Sequence, residues 1–166
     1  MTPARPRGFT LLELLCVALV MVVLLTAALP QLQHQWRGLQ TERVTMDVAQ
    51  QLRTARTLAV AQGRRIDWRW QEEQRTVRLA AAAEETALEP RWQSPRPIPE
   101  GVRLVVRQEQ RVVDRLSFFA DGTSGVPDGT ICSATVQVTQ GAVPAFQILV
   151  DGARGRVSVQ RAAPSS

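Results

Sequence analysis

The N-terminal run FTLLELLCVALVMVVLLTAAL, residues 9–29, constrains this chain more than any other feature. It carries one charge, Glu13. As a helix rising ~1.5 Å per residue it would span roughly 32 Å, about one hydrocarbon thickness of a bilayer. The short stretch before it is polar, holds Arg5 and Arg7, and ends in Gly8. Basic residues on that side argue for an N-terminus in the cytoplasm and the rest of the chain outside it. A secretory signal peptide begins in a similar way, and Thr26, Ala27 and Ala28 would pass for its small-residue cleavage site. A plain membrane anchor is a second reading. Both leave Glu13 unexplained, because a carboxylate central in a membrane helix costs about 2.5–3.5 kcal/mol even on insertion scales.

A third reading gives Glu13 a partner. The string GFTLLELL, from Gly8 to Leu15, resembles the processing motif of type IV prepilins and type II secretion pseudopilins. The resemblance implies that a prepilin peptidase cuts between Gly8 and Phe9. It also implies that Phe9 is then N-methylated, and that Glu13 pairs with the terminal amine of a neighbouring subunit. The physics agrees: an ammonium and a carboxylate, each costly alone in lipid, offset one another when subunits pack. Pro30 stands 21 positions after Phe9, where family members often carry a helix-kinking proline. A proline removes one backbone hydrogen bond and crowds the preceding turn. The plainer alternative is that Pro30 ends the span.

Beyond Pro30 the helical signal continues. Val44, Val48, Leu52, Ala55 and Ala59 recur at steps of three and four, one apolar stripe at helical spacing, with Arg43, Asp47, Arg53 and Arg56 largely off it. Gly63 is the expected C-terminal stop. The expectation is one helix of ~80 Å from Phe9 to about Ala61, its second half laying one face on a folded domain. His34, the sole histidine, has no second ligand at metal-binding spacing and reads as a surface residue. Cys16 lies inside the apolar run and Cys132 far outside it, so both are expected unpaired.

After Gly63 the period becomes two. Ile66, Trp68 and Trp70 alternate with Asp67 and Arg69, and Thr76 to Ala80 returns after a turn at 71–75. Further runs lie at 102–106, 112–119, 131–139, 145–150 and 157–159, with Asp-Gly turns at Asp121 and Asp151. About seven short strands, in two small antiparallel sheets or a sandwich, are expected. Residues 81–101, with Pro90, Pro95, Pro97 and Pro99, read as a surface loop. Trp92 within it is either a latch into the core or a contact residue. The fold class is therefore α+β: a long N-terminal helix, half membrane and half amphipathic, packed on two small antiparallel sheets. The divisions are 1–8 leader, 9–29 membrane and assembly helix, 30–62 amphipathic continuation, 63–161 β-rich periplasmic domain and 162–166 tail.

The segment LSFFADGTSGVPDGTI and the later DGARGRVSV resemble the globular domain shared by the H-type minor pseudopilin of type II secretion and a minor type IV pilin. That implies a filament subunit, processed by prepilin peptidase and assembled with major and minor pseudopilins, that helps export secreted cargo. The alternative is a minor type IV pilin acting in pilus assembly or DNA uptake. Some minor pilins with this domain bind DNA through a C-terminal Gly-Arg-x-Arg element. Here Gly155-Arg156-Val157-Ser158 lacks the second arginine, so Arg154, Arg156 and Arg161 are a basic group whose plainer reading is a solvated turn. All 20 basic residues are Arg, which reads as genome composition bias. Removing the leader lowers the formal charge from +5 to +3, too little by itself to argue for nucleic acid.

Catalytic sets are not recognisable. One histidine near the membrane makes no Ser-His-Asp or Cys-His arrangement, and DGTSG and DGARG are turn sequences. Asp121, Asp128 and Asp151 fit no calcium loop and are expected to bond their own backbone. No cofactor or metal is expected. A signal-anchored periplasmic enzyme is the remaining, least economical reading.

Overall fold

The computed structural model describes residues 11–81, 92, 94–109, 111–141 and 143–162; within helices and strands, the side chains of 26–38, 143 and 144 are outside that description. The chain divides into two compact units, Met1–Leu39 and Gln40–Ser166. Helix α1 runs Leu11–Gln62. The helix passes through position 30, so Pro30 does not end it.

In the second unit α1 buries Thr41, Val44, Thr45, Val48, Ala49, Leu52, Ala55 and Ala59 and exposes Arg43, Asp47, Arg53 and Arg56. The stripe expected from spacing is thus the packed face. Small residues at 49, 55 and 59 let the sheets approach closely, and Leu52 supplies the largest side chain of that face. The helix ends as a Schellman motif. Gly63 takes φ 62°, its N–H reaches the Val60 carbonyl at 3.3 Å, and Arg64 N–H reaches the Ala59 carbonyl at 3.2 Å.

Ten strands follow among the described residues: β1 (Ile66–Gln71), β2 (Thr76–Ala81), β3 (Arg96–Pro97), β4 (Val102–Gln108), β5 (Arg111–Val113), β6 (Arg115–Phe118), β7 (Ser124–Gly125), β8 (Ala134–Gln140), β9 (Val143–Val150) and β10 (Val157–Arg161). They form two antiparallel five-stranded sheets, ordered β3-β2-β1-β6-β7 and β10-β9-β8-β4-β5. The α+β class with two antiparallel sheets stands as expected.

Two local expectations differ. The apolar run 112–119 is not one strand. It breaks at Asp114, with β5 pairing β4 in the second sheet and β6 pairing β1 in the first. The chain crosses between sheets there, and the Asp114 carbonyl accepts the Trp70 N–H at 2.7 Å. The Pro-rich stretch is also not wholly loop. Arg96 and Pro97 pair with Val77 and Thr76, and Ile98 is buried. Proline is tolerated there because β3 is an edge. Arg75 holds the stretch by donating to the carbonyls of Ile98 at 3.4 Å, Val102 at 3.0 Å and Pro99. Residues 82–91 lie outside the described residues.

One apolar cluster joins the helix stripe to both sheets, with Trp68, Phe118, Ile66 and Leu116 from the first and Val102, Val106, Val136, Val138 and Ile148 from the second. Trp92 is half-buried and packs against it. Leu52 has no exposed surface and is a member of this cluster. Leu52→Ala is expected to cost about 3 kcal/mol, read as a shift in the urea midpoint of the full chain.

Candidate assembly site

Gly8 and Phe9 lie outside the described residues. Glu13 is placed in the first turn of α1, where the positive end of the helix dipole favours a carboxylate. Every described side chain from Leu11 to Leu25 is exposed, from 87% at Leu11 to 52% at Val17 for the large hydrophobic ones. A helix that is apolar all round and covered on no side within its own unit is suited to lipid or to a bed of other helices. Among the described residues no helix is long and apolar enough to cross a membrane. The described side chains of the apolar run stop at Leu25, short of the ~20 residues a span needs.

The two C-terminal stretches singled out in the sequence meet in space. Ser124 N–H donates to the Gly152 carbonyl at 2.8 Å and Ser124 Oγ to the Asp151 carbonyl at 3.3 Å. Gly152 N–H donates to Ser133 Oγ at 3.0 Å, and Cys132 N–H to the Ser124 carbonyl at 3.1 Å. The edge strand β7 of one sheet is thereby fastened to the β9–β10 connection of the other. Arg56 of α1 enters the same joint and donates Nε–H to the Gly122 carbonyl at 3.2 Å. Arg53 donates to the Val157 carbonyl at 3.4 Å. Gly155 also approaches backbone closely in this joint. Its φ is 57°, and a Cβ there would sit 2.1 Å from the Gly122 carbonyl oxygen.

The turn aspartates bond their own backbone, as their context implied. Asp121 Oδ1 accepts from Thr123 N–H and Oγ1–H at 2.9 and 2.7 Å, Asp128 Oδ1 from Thr130 N–H at 2.8 Å, and Asp151 Oδ1 from Arg154 N–H at 3.2 Å. The Thr123 hydroxyl and N–H hold the Asp121 carboxyl below its usual range, and the Thr130 N–H does the same for Asp128. Among the described residues no three His, Cys, Asp or Glu side chains gather as metal ligands.

Arg154, Arg156 and Arg161 are all exposed but do not form one group. Arg154 and Arg156 share the β9–β10 connection. Arg161 lies at the far end of β10, five residues on, roughly 16 Å in an extended strand, with its guanidinium 5.9 Å from the Phe146 ring centre. Cys16 and Cys132 are free, Cys16 exposed and Cys132 buried, where burial pushes its thiol up.

Sequence reasoning missed Asp67. Its alternation with Trp68 reads as outward and solvated, yet it has no exposed surface. Ser117, its cross-strand partner, donates Oγ–H to Oδ1 at 2.9 Å, and Arg65, Arg69 and Arg115 lie 3.3, 3.7 and 4.0 Å away. Register brings Ser117 and Arg115 to it, whereas Arg65 and Arg69 stand two residues before and after Asp67 and were the signal the sequence itself held. Such a carboxylate is tolerable inside because it is paired.

Residues 3–29 match the prokaryotic N-terminal methylation motif. The minor pseudopilin EpsH from the type 2 secretion system of Vibrio cholerae superposes with a TM-score of 0.60 at 10% identity, over 76% of this chain and 99% of that one. This chain has the fold of a minor pseudopilin. The type IV minor pilin FimU of Pseudomonas aeruginosa superposes with TM-scores of 0.53 and 0.54 in two crystal forms, at 19% and 18% identity. Both cover 72% of this chain, and 91% and 87% of FimU respectively. A comparison with curated protein sequences gives no match. A prepilin-type N-terminus and a minor-subunit fold therefore occur in one chain, and the stretches that suggested the domain are the ones that join its sheets.

Gly155→Ala is expected to destabilise the full chain by on the order of 2 kcal/mol, because both the positive φ and the Gly122 carbonyl oppose a side chain; denaturant titration checks it. A pH effect follows from the turn carboxyls. Their pKa values are lowered in the fold, so their stabilisation is present above the unfolded value of about 3.9 and is lost as pH falls through the folded ones. The Asp121→Asn, Asp128→Asn double variant should therefore lose less stability than the parent between about pH 5 and pH 3.

Proposed function

We propose that this chain is a minor pseudopilin of a type II protein secretion system, a structural subunit of the periplasmic pseudopilus that helps drive exoprotein export, and not an enzyme. The observation that carries the proposal is the methylation motif at residues 3–29 heading a chain whose fold is that of a minor pseudopilin. In this reading prepilin peptidase cuts between Gly8 and Phe9, Phe9 is N-methylated, and the subunit waits in the inner membrane with its N-terminus cytoplasmic and its β-rich domain periplasmic. Glu13 then sets the register between helices. A carboxylate on an apolar helix is costly until the terminal ammonium of a neighbour reaches it, so paired packing is favoured over slipped packing. Pro30 would let the helix bend in the filament. The partners are the peptidase, other major and minor pseudopilins and, at the filament surface, secreted cargo.

The likeness to FimU supports a second reading, a minor type IV pilin in pilus assembly or DNA uptake. There Arg154 and Arg156 would contact phosphates in a salt-dependent, sequence-independent way. Arg161, at the far end of β10, would not join them in one contact.

Mass spectrometry of the mature chain is expected to give an N-methylated Phe9 start; a chain beginning at Leu29 would mean signal-peptide removal and end both filament readings. A clean deletion separates the two systems. Lost enzyme secretion with normal twitching and transformation is the expected phenotype, and the reverse pattern would move the chain to the pilus machinery.

A further inference from the structure

A groove of about 860 Å³ opens where the chain crosses from one sheet to the other. Its apolar wall includes Trp70, Leu104 and Val113, and Val112 stands at its lip with 68% of its surface exposed. The charged residues lining it are Glu72, Glu73 and Asp114, all exposed and all acidic. That sign is opposite to the chain as a whole, whose formal charge is +5. Beside the groove runs β5, a three-residue strand at the edge of its sheet that pairs on one side only, with β4. An edge strand offers unpaired backbone groups that an extended segment can complete.

We propose that this groove seats an extended segment of a neighbouring protein subunit in which apolar side chains alternate with arginine or lysine. The backbone of that segment continues the sheet at β5. Its apolar side chains cover Val113 and the Trp70 wall on the buried side of β5, and its basic side chains, on the opposite side, reach toward Glu72, Glu73 and Asp114 at the exposed rim. Alternation fits because successive side chains of a strand point to opposite faces, so one set is buried while the other reaches the acidic rim. Nucleic acid is disfavoured by the same three carboxylates. The inference goes beyond the filament reading. It concerns which surface of the folded domain meets a partner, whereas that reading rests on the N-terminal segment.

The test uses the full chain in a zwitterionic detergent and a fluorescent octapeptide of alternating arginine and valine, followed by anisotropy. Saturable binding that weakens as salt rises is expected. The Glu72→Arg, Glu73→Arg variant and the Val112→Arg variant, all at exposed positions, should each bind at least about ten-fold more weakly while melting at the parent temperature. A glutamate–valine peptide should bind at least about ten-fold more weakly to the parent chain. Absence of saturable binding up to about 1 mM overturns the proposal, as does equal affinity for the acidic peptide or undiminished binding by the variants. None of these results bears on the mass of the mature N-terminus, so the groove and the filament reading fail separately.

Discussion

The second unit depends on one face of a helix. Residues 41–59 of α1 bury a stripe of small and medium side chains, and each sheet places its inner face in the same cluster. Among the described residues the helix stripe and the inner faces of both sheets belong to one apolar cluster, so the helix is a surface the two sheets share. The alternation of small residues with Val48 and Leu52 matters for the same reason. Bulk at 49, 55 or 59 would push a strand off the helix, and a shortened residue at 52 would leave a void in the middle.

A core shared this way needs its two sheets fixed in angle and height, and the apolar contacts alone are non-directional. Direction comes from polar joints. The β7 edge is tied to the β9–β10 connection through Ser124, Ser133 and Gly152, and Arg56 of the helix donates into the same place. The crossing at Asp114 is tied to Trp70 N–H. Asp67 adds a third point on the first sheet, where Ser117 bonds one oxygen of a carboxylate removed from water and Arg65, Arg69 and Arg115 surround it with positive charge. The FFADG and DGARG stretches are in this sense fasteners rather than a reactive site, which is why they look like turns in the sequence and like a joint in the fold.

The first unit follows a different logic. Its described apolar side chains gain nothing from the chain's own folding, since they remain exposed. Surface of that kind is stabilised only by lipid or by other helices. A single carboxylate near the helix start, on an otherwise apolar cylinder, limits which of those arrangements are acceptable, because the charge must be met. Burial therefore changes along one helix: residues 41–59 put one face into the core, whereas the described side chains of 11–25 remain exposed.

Sequence alone determined the elements whose cause is local. The stripe at 44–59, the Gly63 stop, the alternation at 66–70 and the Asp-Gly turns each follow from periodicity, steric freedom or hydrogen bonding within a few residues. Tertiary structure decided whatever depends on register and crossing. The run 112–119 reads as one strand because no Gly or Pro interrupts it; it is divided between two sheets because Asp114 is where the chain changes partners. Asp67 reads as solvated because it alternates with tryptophan, but its cross-strand neighbours bury it. Arg161 reads as close to Arg156 because five residues are few, and it is distant because those residues are extended. Local pattern fixes the state of a segment, whereas the neighbour it meets is set by the packing of the whole domain.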